Sequence, residues 1–148
     1  MTTHQIHLFL VTLLIGAFVP TEAETLINEQ EATLPAYAAQ PPSRSIIRGP
    51  IVKWMSPKNG VTVNSPFELK VHLEPREGVK IDPSSLKVVY LKSPVVDLTP
   101  RLQTAITPKG IEFKQAEVPP GSHTIRLTIR DIEGRETNSQ LTIKVNPQ

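Results

Sequence analysis

Ten of the fifteen prolines in this 148-residue chain fall at or after position 57, each between short apolar runs. Proline offers no amide hydrogen and collides with the preceding helical turn, so a chain punctuated in this way has no room for a long helix. The runs between the breaks read as strands: "IVKWM" (51–55), "VTV" (61–63), "FELKVHLE" (67–74), "LKVVYLK" (86–92), "VVDLT" (95–99), "IEFKQAEV" (111–118), "HTIRLTIR" (123–130) and "NSQLTIKV" (138–145). Short strands recurring at this spacing predict an all-β sandwich or barrel. The one opening for a helical turn is "DPSSLK", where Asp82 and Pro83 form a start signal.

Alternation assigns the faces. Phe67, Leu69, Val71 and Leu73 point one way while Glu68, Lys70, His72 and Glu74 point the other. The same period recurs in Ile125, Leu127 and Ile129, and in Leu141, Ile143 and Val145. Because the inward residues of both closing strands are odd-numbered, the loop joining them holds an odd number of residues, which excludes a two-residue hairpin. Gly134 is the natural occupant of a left-handed position in that loop. Parity allows a register with Ile129 facing Leu141, Arg126 facing Lys144 and Thr128 facing Thr142. Together with Arg130 these make a polar, cationic strip: Arg126, Thr128, Arg130, Thr142 and Lys144 are the candidate interaction face. The competing reading is a solvated strand face whose charges deter edge-to-edge association.

The N-terminus differs from the rest. "IHLFLVTLLIGAFVP" (6–20) is too short for a comfortable membrane span, and Thr21 and Ala23 supply the small residues of a signal-peptidase site. Residues 1–23 are therefore expected to be a signal peptide cleaved after Ala23, although no Lys or Arg precedes the apolar run; retention as an anchor is the alternative. Residues 24–50 show no sustained period and are expected to form a flexible linker, with Ile46 and Ile47 placed to dock on the domain that follows at 51–148. Cleavage leaves no stable membrane span. The location implied is periplasmic or secreted.

The residue inventory excludes much chemistry. The chain has no cysteine, hence no disulfide, thiolate nucleophile or Cys-based metal site. From Ile51 onward the balance is near +4, too sparse for a nucleic-acid-binding stripe. Beyond the signal only His72 and His123 remain, and neither sits in a metal-ligand spacing. "DIEGRE" (131–136) is faintly like a calcium loop but lacks the acidic spacing of one. No nucleophile elbow, phosphate loop or dinucleotide fingerprint occurs. The expectation is a non-enzyme with no catalytic residues, no metal and no cofactor. Its expected partner is another envelope or extracellular protein, or an anionic surface ligand.

"VPPGSHTIRLTIRDIEGRETNSQLTIKV" resembles the closing hairpin of bacterial immunoglobulin-like domains, with Gly121, His123, Thr124, Ile125, Asp131 and Gly134 matching. "SPKNGVTVNSPFELKVHLEP" resembles their opening and "IDPSSLKVVYL" their middle strand, so the likeness spans residues 49–146. It implies an immunoglobulin-like antiparallel β-sandwich of about seven strands and says little of function. The paired cysteines and buried strand-C Trp of antibody domains are missing, with Trp54 in the first strand instead, which sets that subclass aside. "SPKNGVTVNSP" also resembles the start of CopC-type periplasmic copper-binding sandwiches. That resemblance implies a histidine at the mature N-terminus and another in an Asp-Gly-His turn. Here the expected start is Glu24 and the turn reads Ile132, Glu133, Gly134, Arg135, so both ligands are missing. The alternatives to an immunoglobulin-like binding or structural module are thus a CopC-like metal-binding protein and an accessory domain of a surface enzyme or adhesin complex.

Overall fold

Aliphatic residues at every second position build the long strands of a computed structural model that describes residues 22–38 and 47–147. The expected signal peptide lies outside the described residues up to Thr21, as does Ile46. Among the described residues no helix is long and apolar enough to cross a membrane. The strands are β1 (Glu24–Thr25), β2 (Ile51–Ser56), β3 (Thr62–Val63), β4 (Phe67–Glu74), β5 (Ile81–Tyr90), β6 (Val96–Asp97), β7 (Ile106–Thr107), β8 (Gly110–Glu117), β9 (Gly121–Asp131) and β10 (Glu136–Val145). One sheet runs β1-β8-β4-β2, with β7 also on β8; the other runs β3-β10-β9-β5-β6. Neighbours are antiparallel except β1 with β8 and β3 with β10.

The chain passes from β2 and β4 to β5 in the other sheet, returns for β8, and crosses again for β9 and β10. Sheets of β2, β4, β8 and of β5, β9, β10 joined in this order make an immunoglobulin-like sandwich. Leu69, Val71, Leu73, Ile111 and Phe113 from one sheet share a single core with Leu86, Val88, Tyr90, Ile125, Leu127, Ile129, Leu141, Ile143 and Val145 from the other. An irregularity in the pairing of β4 with β8 resets the alternation, so that Ala116 also turns inward. Trp54 reaches across the interior, its indole Nε1 donating to Ser139 Oγ at 2.9 Å.

Three expectations are corrected. "DPSSLK" forms no helical turn: it lies in β5, where the Asp82 carboxylate accepts from Ser84 N at 3.1 Å and the register slips before Lys87. That slip accommodates Pro83, which cannot donate to the ladder. "VVDLT" is a strand only at β6; beyond it a 3-10 helix, Thr99–Ala105, carries Pro100 in its first turn and buries Leu102 and Ala105.

The largest correction concerns residues 24–50, whose described part is no free tether. Leu26 and Ile27 are 0% and 1% exposed, and Leu26 N donates to Glu117 O at 2.9 Å. Helix α1 (Glu29–Thr33) follows, closed by a reciprocal cap in which Glu31 N donates to Asn28 Oδ1 and Asn28 N to Glu31 Oε2. Arg101 grips the Glu31 carboxylate with both terminal nitrogens, Nη1 at 2.8 Å from Oε2, and so holds the Glu31 carboxyl below its usual range. Lys92 Nζ donates to Ala32 O, and Tyr37 N to Leu91 O. Having started on β8, this strap ends with Ala36 bridged to Lys92 beside the other sheet. Among the described residues folded structure therefore extends back to Glu24, because two buried aliphatics, a capped helix and an ion pair offset the entropy of ordering the strap.

Candidate interaction face

The closing hairpin takes its shape from one buried carboxylate. Asp131 is inward and its oxygens accept from Glu133 N at 3.0 Å, Arg135 N at 2.9 Å and Arg135 Nε at 2.7 Å. Burial alone would raise the Asp131 carboxyl; the Arg135 side chain and the two amides outweigh it and hold the group below its usual range. Gly134 occupies the left-handed position at φ +80°, as anticipated. Asp131 is consequently engaged by its own turn and by the Arg135 guanidinium, and is no solvated acid.

This turn makes Arg130 and Glu136 partners and so corrects the expected register while keeping its parity. Arg126 faces Gln140 instead of Lys144, Thr128 faces Asn138 instead of Thr142, and Ile129 faces Thr137 instead of Leu141. The physical reason is the tightness of the Asp131 loop, which parity does not reveal. Opposed like charges are thereby avoided. Arg130 Nη2 lies 2.8 Å from Glu136 Oε2, and with the Asn138 amide, the larger influence, it holds the Glu136 carboxyl below its usual range. Thr128 Oγ1 donates to Asn138 Oδ1 at 2.6 Å, and the Thr124 and Thr142 hydroxyls meet at 3.2 Å.

All five candidates lie on the outer side of β9 and β10, but they do not form one cationic strip. Lys144 faces Ser122, four positions along β9 from Arg126 and so roughly 13 Å away at the usual strand rise. Arg130 is neutralised by Glu136. What remains is a local patch around Arg126, whose guanidinium sits 6.0 Å from the centre of the Tyr37 ring. Val89, outward on β5 and only 6% exposed, is paired with Arg126 on one side and Asp97 on the other. Sequence reasoning missed Tyr37 because "LPAYA" carries no period. Val89 it placed in a strand without assigning a face.

The two histidines among the described residues differ in setting. His72 is half-exposed on the outer side of β4, 3.5 Å from Glu74 Oε1. His123 is 2% exposed inside the sandwich, with Nε2 2.8 Å from Pro119 O and Nδ1 2.9 Å from Tyr90 Oη. A carbonyl only accepts, so Nε2 carries the proton and the Tyr90 hydroxyl donates to Nδ1. Burial pushes the Tyr90 hydroxyl up to about 12 and, as the largest influence on it, pushes the His123 imidazole below its ordinary value. Below pH about 6.5 the unfolded chain takes up a proton that folded His123 refuses. Stability conferred by the neutral ring is therefore complete above that pH and falls as pH drops toward the folded value. Urea titrations should show this loss between pH 7 and 5 in the wild type and a flatter response in His123→Gln. Tyr90→Phe should cost about 1–3 kcal/mol at pH 7.5, because it strands a buried acceptor.

Among the described residues no group of three or more His, Asp or Glu is placed to hold a metal ion. No family model and no curated protein matches the chain. Among solved structures, CopC from Methylosinus trichosporium OB3b aligns with a TM-score of 0.47 at 16% identity, over 67% of this chain and 95% of that one. An endo-beta-1,4-mannanase from Thermotoga petrophila aligns with a TM-score of 0.46 at 16% identity, over 70% of this chain and 21% of its own. An engineered protein gives 0.45 at 16% identity, over 69% of this chain and 21% of its own.

Proposed function

We propose that this chain is an exported, non-catalytic module of the bacterial immunoglobulin-like type that binds another envelope or extracellular protein, or an anionic surface ligand. The observation that carries the reading is the contrast between its two sets of polar side chains. Those suited to chemistry, His123, Tyr90 and Asp131, are turned inward and consumed by the frame. Arg126, by contrast, is presented outward on an aromatic ring and flanked by threonines, on a rigid sheet. A cation held over an aromatic face is a preferred anchor in protein recognition. Residues 1–23 would direct export, and Glu24, already in β1, would begin the mature chain.

The test is capture from envelope extracts by the mature protein, compared with Arg126→Glu and Tyr37→Ala variants that melt at the parent temperature. A partner retained by the wild type and lost by both variants is expected. Equal retention by all three, or retention by none, contradicts the reading.

A further inference from the structure

A second polar cluster lies at the end of the sandwich where three segments meet: the entry to β2, the turn after β4 and the turn between β9 and β10. Arg76 Nε donates to Gly49 O at 3.0 Å, Thr137 Oγ1 to Pro50 O at 2.6 Å, and Ile132 N to Lys80 O at 3.0 Å. Gly49 packs so closely that a Cβ there would lie 2.7 Å from Arg135 O, so Arg48 is carried on a firmly seated backbone. The turn after β4 has Glu77 and Gly78 at φ +53° and +75° and closes with Val79 N donating to Arg76 O. Loops held in this way on a rigid scaffold are where binding groups concentrate.

Between these segments is an open pocket of about 450 Å³ lined by Ile47, Arg48, Arg76, Glu77 and Arg135. Of the side chains lining it three are cationic, Arg48, Arg76 and Arg135, and one, Glu77, is anionic. Arg135 spends Nε on Asp131, and its Nη1 stands 3.4 Å from the largely exposed Glu77, while Glu133 is 3.7 Å from Nε. Its Nη2 is buried and meets no acceptor. A buried guanidinium nitrogen without an acceptor is costly, and it leaves Arg135, in the pocket wall, with one donor uncommitted. Among the described residues neither Arg48 nor Arg76 makes a salt bridge.

We propose that this pocket binds an oxyanion, a carboxylate or phosphate group of a small ligand, between the guanidiniums of Arg48, Arg76 and Arg135. A guanidinium's planar donors match both groups in bidentate fashion. The volume exceeds that of the anion alone and falls within the usual range for small-molecule sites, with Ile47 offering an apolar wall. This site is separate from the Arg126 face, so either can fail without the other.

The test follows backbone amide shifts of the exported protein during titration with inorganic phosphate and, separately, with succinate, at constant ionic strength. Saturable shifts confined to residues 48–49, 76–79 and 132–135 are expected, and the probe that saturates at lower concentration identifies the preferred group. Arg48→Gln and Arg76→Gln should each weaken binding tenfold or more, whereas Lys114→Gln, on β8, should leave it unchanged. Arg48 makes no side-chain hydrogen bond among the described residues, so Arg48→Gln remains decisive if Arg76→Gln disturbs the fold. Absence of saturation with both probes, or equal binding by Arg48→Gln and the wild type, overturns the proposal.

Discussion

Leu127→Asp should abolish cooperative unfolding. Leu127 lies at the centre of β9, fully buried, facing Ser139 on one side and Val88 on the other. Replacing it removes about 1.5–3 kcal/mol of apolar burial and forces a carboxylate into an interior where, among the described residues, the buried polar groups are His123, Asp131 and Thr137. A total beyond about 4 kcal/mol is a large part of the stability of a domain this size. Thermal melts followed by circular dichroism should show no transition, or one lowered by tens of degrees. A sharp melt near the parent temperature would contradict the assignment of β9's odd residues to the core.

Gly110→Val should come close in severity, for a different reason. Gly110 opens β8 opposite His72, with φ at +143°, a region that a Cβ makes hard to enter. A Cβ there would fall 1.9 Å from Val71 O and 2.8 Å from Val71 C, atoms of a central strand that cannot retreat without breaking its ladder. Backbone strain of about 1–3 kcal/mol adds to overpacking of about 1–3 kcal/mol. At roughly 4–8 °C per kcal/mol for a domain of about 100 residues, the melting temperature should fall by about 10 °C or more. A shift within two or three degrees would mean that β4 and β8 are not packed as described.

The strands were legible because a half-buried sheet writes its period into the chain: the odd rows of β4, β9 and β10 read directly as core. His123 shares that odd parity with Ile125, and its inward position was available to the same rule. The hairpin offset was not legible. Parity limits the register to alternatives, and the choice among them rests on the Asp131 carboxylate turning back onto its own loop. The strap was illegible for another reason. Leu26 and Ile27 are adjacent and both buried, a pattern with neither helical nor strand period. Arg101, which fixes the strap through Glu31, is remote in the chain. Arg48, Arg76 and Arg135 likewise come together only through folding, since no local motif links residues so far apart.

The chain's lack of cysteine permits a direct test of the whole arrangement. Single cysteines placed at positions 124 through 129, and at 26 and 27, would be exposed to a thiol reagent in the native protein and in urea. Positions 124, 126 and 128 should react readily in the native state, while 125, 127, 129, 26 and 27 should react only when unfolded. Uniform reactivity along 124 through 129, or ready native labelling at 26 and 27, would contradict a single dry interior closed at its margin by the N-terminal strap.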